Sequence, residues 1–148
     1  MRLPKLECTP EIDYNPDDKF IYVNRFSMNC VGVDIIEIAR IEKAIGRWGE
    51  GFLRRVYTES ELRLYRKKLS SLATRFAAKE AVIKALGKPN GVVSLREIEI
   101  LSDPAGKPLV YLYGKAQNQA EGLGLNKFAI SLSHSGEYAI AFVSGETL

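Results

Sequence analysis

Asp34, Glu80, Lys84 and His134 are the side chains of this sequence whose types invite a reaction centre, and two of them share the stretch ATRFAAKEAVIKALG, Ala73 to Gly87. At the helical turn of about 100° per residue, Leu72, Phe76, Ile83 and Leu86 fall on one side, which predicts a core-facing helix. Glu80 lies only about 40° from the centre of that stripe, Lys84 stands one turn further on, and Lys79 falls inside the stripe itself. As a bare i,i+4 pair on a wet surface, Glu80 and Lys84 would add about 0.3 kcal/mol and nothing more. Position argues for more. A carboxylate at the margin of a buried face is costly unless a cation meets it, and a site beside a core is held rigidly.

Asp34 belongs to a segment, Cys30 to Ile36, whose alternation predicts a buried strand with Val31, Val33 and Ile35 on one face and Gly32 and Asp34 on the other. An aspartate there serves equally as the cap of the next helix or as a ligand, and Gly32 on the same face leaves room for a ligand to approach. Asp34 and Glu80 are 46 positions apart, so only the fold can pair them. Two paired carboxylates with open positions suit magnesium, which keeps waters that can meet a substrate's phosphates. A lysine beside them would neutralise or protonate a departing phosphate. The natural chemistry is phosphoryl-type transfer. No Walker loop or glycine-rich cradle is present, which removes the common nucleotide-binding folds. His134, the one histidine, takes the parity of Phe128, Ile130 and Leu132 at the end of a predicted strand, between Ser133 and Ser135.

These residues need elements to position them, and 148 residues suffice for one domain with a real core. Charged residues make up 26% and hydrophobic residues 46%, which are globular values. No run reaches the length of a membrane span and the N-terminus lacks the core of a signal peptide, so a cytoplasmic protein with no membrane contact is expected. Cys8 and Cys30 make neither a disulfide framework nor a metal-site spacing. The first 28 residues differ from the rest, with three of the six prolines, four basic and five acidic residues. The body that remains has 17 basic against 13 acidic residues. Such a balance suits an acidic protein or a phosphate-rich ligand and falls short of a nucleic-acid surface.

Residues 1–28 therefore read as an extension, poorly ordered over Met1 to Asp18 with an edge strand at Lys19 to Phe26. Met28, directly before the compact pattern, reads as an alternative start. The helix from about Glu37 to Trp48 buries Ile38, Ile41 and Ile45 and turns Arg40, Lys43 and Arg47 outward, a solvated face or the start of a basic ridge continued by Arg54 and Arg55. Thr58, with Glu61 completing a capping box, opens a helix to about Leu69. After GKPNG, a strand at Leu95 to Leu101 returns antiparallel through DPAGKP as Leu109 to Tyr113. A short helix, about Lys115 to Leu123, precedes a hairpin of Phe128 to Ser133 and Tyr138 to Val143. The expected fold is a single α+β domain, residues 29–148, with antiparallel strands packed against a long central helix.

Three segments, GVDIIEIARI, RFAAKEAVIKALG and ISLSHS, closely resemble in sequence and order the signatures of the bacterial holo-[acyl-carrier-protein] synthases, a family of 4'-phosphopantetheinyl transferases. The resemblance covers about Asn29 to Val143. It implies a phosphopantetheinyl transferase-like fold, a homotrimer with sites at subunit interfaces, and transfer of phosphopantetheine from coenzyme A to a serine of an acyl carrier protein in fatty acid biosynthesis. It further implies Mg2+ on Asp34 and Glu80, Lys84 near the diphosphate, and His134 in a catalytic or coenzyme-binding role. Arg75 and Lys79 are expected at phosphates, and Arg40, with Lys43 and Arg47 on the same ridge, at the acidic carrier. Two other classes compete: a non-enzymatic module that binds an acidic protein through the ridge, and a metal-dependent hydrolase of nucleotide phosphates.

Overall fold

The computed structural model of the chain describes residues 29–87 and 92–147. The expected extension, with its edge strand at Lys19 to Phe26, and most of GKPNG lie outside the described residues.

The β-branched run after Asn29 forms β1 (Asn29–Glu37), and the chain then turns into α1 (Ile38–Trp48), α2 (Glu50–Val56) and α3 (Glu59–Tyr65). Gly49, at a φ of 53°, separates α1 from α2 in a conformation that side chains resist. Thr58 starts α3 with the expected capping box, its hydroxyl accepting from Glu61 N and its own N–H donating to the Glu61 carboxylate at 2.8 Å. The long helix α4 (Leu69–Ala85) follows, then a 3-10 turn at Leu95–Glu97, β2 (Ile98–Ser102), β3 (Pro108–Leu112), α5 (Gly114–Gly122), β4 (Leu125–His134) and β5 (Tyr138–Thr147). The first turn of the segment expected as a strand from Leu95 is thus helical, because Ser94 and Glu97 form a second capping box there. The helix at Thr58 likewise ends at Tyr65, one turn before the expected Leu69.

One antiparallel sheet has the order β1-β5-β4 and the other is the ribbon β2-β3. Asp34 pairs with Ala141 and His134 with Ala139, so β5 sets the register of both flanking strands. The helix α4 is the hub, packing against β1, β5, β4, β2, α1 and α3. Its expected stripe is too narrow a description: Leu72, Ile83 and Leu86 are buried, but so are Ala73, Ala77, Ala78, Ala81, Val82 and Ala85 around the rest of the helix. Small side chains let strand and helix backbones approach. At Gly32 the approach is extreme, since a Cβ there would lie 1.9 Å from the Ala81 carbonyl oxygen. Gly32 therefore admits the helix and not a ligand, correcting the expectation that it leaves room beside Asp34.

Two further expectations for β1 are revised. Asp34 does not cap α1, whose preceding residue is Glu37, three positions later and without a side-chain cap. The strand is also buried on one face only: Gly32 and Ile36 face α4, whereas Val31, Val33 and Ile35 are exposed, alongside Tyr138, Ile140 and Phe142 of β5. Among the described residues no helix is long and apolar enough to cross a membrane.

Candidate active site

The strand β1 and the helix α4 bring Asp34, Glu80 and Lys84 together. Asp34 occupies the inward parity of β1 between Gly32 and Ile36, and its side chain is largely covered. Lys84 Nζ donates to Asp34 Oδ1 at 2.8 Å and to the Val33 carbonyl at 2.9 Å. The cation thus reaches across to the strand, rather than down its own helix to Glu80 as an i,i+4 pair would. Glu80 is close enough to feel both charges. Burial pushes its carboxyl above the ordinary glutamate range, the Asp34 charge pushes it further, and Lys84 opposes them. Among the described residues no group of three or more His, Cys, Asp or Glu side chains gathers as a metal cluster. The donor set is the carboxylate pair. Two carboxylates that line one cleft offer oxygen donors and leave positions for water and phosphate, so they fit magnesium.

A cleft of about 600 Å³ joins this pair to the basic ridge, lined by Asp34 and Glu80 and by Arg40, Lys43 and Arg47 of α1. Its apolar wall includes Phe52 and Phe76. Phe76 was legible as part of the α4 stripe, whereas Phe52 carried no signal because it follows Gly51 outside any periodic segment. Arg47 also stacks on the exposed Trp48 ring, 5.0 Å from its centroid. Glu80 lines a second cleft as well, of about 370 Å³, with Arg55, Ser94 and Lys115.

Arg75 and His134 lie elsewhere, lining a pocket of about 320 Å³ with Ser71, Thr74, Ser102 and Ser131. That pocket shares no lining residue with the Asp34–Glu80 cleft. Arg75 is buried, its guanidinium carbon 3.5 Å from the centroid of the Tyr65 ring and its Nη2 donating to Ser102 Oγ at 3.2 Å. Its Nε is buried without a hydrogen-bond partner and closed off from solvent. A guanidinium beside a hydroxyl-lined hollow suits an anion. His134 stands exposed at the end of β4 beside it.

Lys79 is not at a phosphate. It is wholly buried, and Nζ donates to Glu61 Oε2 at 2.7 Å and to the carbonyls of Val56, Leu95 and Ile98 at 2.8, 3.0 and 2.7 Å. Its expected role in coenzyme binding is corrected because the ammonium has no face toward solvent. Glu61, read from the sequence as a capping residue alone, is equally buried and also accepts from Ile100 N at 2.8 Å. The signal that could have found it is the lysine inside an apolar stripe, which demands a buried carboxylate.

A sequence profile of the 4'-phosphopantetheinyl transferase superfamily matches residues 30–143. The holo-[acyl-carrier-protein] synthase of Herpetosiphon aurantiacus is 51% identical over 125 residues, 80% of this chain and 98% of that protein. That of Dehalococcoides mccartyi strain CBDB1 is 55% identical over 116 residues, 78% of this chain and 97% of its own length. Among solved structures, Helicobacter pylori holo-[acyl-carrier-protein] synthase in complex with coenzyme A superposes with a TM-score of 0.70 at 36% identity, covering 78% of this chain and 98% of that one.

Proposed function

Because the chain belongs to the 4'-phosphopantetheinyl transferase superfamily, we propose that the Asp34–Glu80–Lys84 cluster, opening on the basic ridge of α1, is the centre at which it works. The enzyme transfers 4'-phosphopantetheine from coenzyme A to a serine of apo acyl carrier protein, giving holo carrier protein and adenosine 3',5'-bisphosphate. The single observation that carries the site is the shared cleft: both carboxylates and the three basic residues Arg40, Lys43 and Arg47 line one continuous surface.

In this reading Asp34 and Glu80 hold Mg2+, which supplies charge neutralisation at the diphosphate when bound. The serine oxygen forms a bond to the β-phosphorus as the bond from that phosphorus to the departing bisphosphate breaks. The serine proton passes to Glu80 or to a water beside it, and Lys84 steadies the leaving group's charge. Arg40, Lys43 and Arg47 steer an acidic carrier to the cleft. Arg75 and His134 receive phosphate of the coenzyme in their own pocket, a guanidinium, an imidazole and the hydroxyls of Ser71, Thr74, Ser102 and Ser131 supporting that role.

The working unit in this reading is a homotrimer in the cytoplasm. Two observations support self-association: the exposed apolar face of Val31, Val33, Ile35, Ile140 and Phe142, and the separation of the two half-sites within one chain. A neighbour's Arg75 pocket meeting this chain's Asp34–Glu80 cleft would complete the site. Residues 29–148 form the catalytic body, so a chain started at Met28 should keep its activity. The test is to incubate the protein with coenzyme A, magnesium and an apo carrier, then weigh the carrier. Gain of the phosphopantetheine mass is the expected result. Turnover of coenzyme A without an acceptor would mean a hydrolase, and binding without turnover a docking module.

A further inference from the structure

Lys84 forms its ion pair with one of the two carboxylates that the proposed function assigns to the metal, and this contact has a consequence for how the site fills. Its ammonium holds Asp34 Oδ1 at 2.8 Å and is steadied on the strand by the Val33 carbonyl at 2.9 Å. Asp34 is largely covered while Lys84 is about half exposed, with 54% of its side chain accessible. The carboxylate is therefore fixed and the lysine is the partner able to move. A divalent cation and an ammonium cannot both enjoy the full charge of one carboxylate oxygen, and each weakens the other's hold on it.

We propose that Lys84 is a built-in competitor of the metal for Asp34, and that phosphate groups of the incoming coenzyme release the site by drawing the ammonium away. This rests on the reading of Asp34 and Glu80 as the metal's ligands. Before phosphate arrives Lys84 partly neutralises the carboxylate pair, so a metal ion alone binds weakly. When a diphosphate arrives, the ammonium exchanges Asp34 for phosphate oxygens, which it can follow because its four-carbon stem is flexible. Metal and coenzyme are thereby coupled, each raising the other's affinity by the same factor. The enzyme loads them together, and a metal ion without its coenzyme finds the carboxylate already taken.

Lys84 thereby differs from an ordinary phosphate-binding lysine. Such a lysine affects coenzyme affinity alone. A competitor must also weaken metal binding when no phosphate is present, and that is measurable without any turnover.

The experiment titrates the full chain with Mn2+ and reads free Mn2+ by its paramagnetic resonance signal, with and without coenzyme A. Lys84→Met should bind Mn2+ alone about threefold to tenfold more tightly than the parent chain, the scale of a partly covered ion pair. Lys84→Gln keeps a donor for the Val33 carbonyl and removes only the charge, so it should do the same and guards against a folding defect in the first variant. In both, the enhancement of Mn2+ affinity by coenzyme A should shrink by a matching factor. Unchanged or weaker Mn2+ binding in both variants, with Asp34→Asn losing it, would overturn the competition and leave the metal site standing. If Asp34→Asn and Glu80→Gln bound Mn2+ as the parent does, the metal reading would fail, and the competition with it.

Discussion

Lys79 and Lys84 lie five residues apart on one helix and lead opposite lives. Lys79 is fully buried, with four acceptors that tie the end of α2, the start of α3 and the approach to β2 onto α4. Lys84 is about half exposed and has two acceptors, both on β1. The side chains are chemically identical, so the difference is made entirely by what surrounds them. A buried ammonium with every proton committed is a structural rivet, because releasing it would strand both it and Glu61 in a low dielectric. An ammonium at the water's edge can change partners at small cost, and only such a group can serve a substrate that comes and goes.

The two lysines should respond unequally to removal. Lys79→Ala should lower the unfolding free energy by about 3–5 kcal/mol, since it leaves the Glu61 carboxylate buried without its cation. Lys84→Met should change it by less than about 1 kcal/mol. Denaturant titration of both variants decides the matter, and a similar loss in each would erase the distinction. Glu80, between them in sequence, sharpens it: Glu80→Gln should reduce transfer about 10³-fold while the denaturation midpoint stays near that of the parent. The mass of the carrier after incubation reports the first quantity.

Further from the helix, Arg40→Glu should weaken carrier binding about tenfold and make its remaining salt dependence shallower, as a steering charge at the rim does. Coenzyme A binding should be unaffected, which calorimetry can check. The smallest effect concerns pH. Glu80 titrates above the ordinary glutamate value of 4.5, because of burial and then of Asp34. The folded chain accordingly holds that proton more tightly than the unfolded one. Without metal, this contribution to stability is present below the unfolded value and is lost as pH rises through the raised one. Glu80→Gln should remove that decline, as unfolding curves from acid to neutral pH would record.

Much of this was legible in the sequence because periodicity and capping are local. Thr58 and Glu61 announced their own capping box, and the hairpin strands announced themselves through Phe128, Ile130 and Leu132. The pairing of Asp34 with Glu80 and Lys84 was foreseeable as chemistry, but a separation of 46 positions between the two carboxylates hid the geometry. What could not be read was which face of β1 lies inward. Val31, Val33 and Ile35 look like core, and alternation alone cannot say that the face bearing Gly32 and Asp34 is the one pressed on α4. Lys79 misled for a related reason. Its place in the stripe was right, but burial assigns it to Glu61, a partner 18 positions away.

The contact at Gly32 also governs how the enzyme should fail on heating. Strand and helix touch there through backbone alone, with no side chain between them whose rotamer could yield. The separation of Asp34 from the α4 residues is therefore set by the thickness of the main chain, and a wider setting requires parting β1 from α4. That seam joins the sheet to the hub of the core. The carboxylates should therefore not drift apart while the domain remains folded. Loss of Mn2+ binding at the proposed site and loss of tertiary structure should follow a single thermal transition.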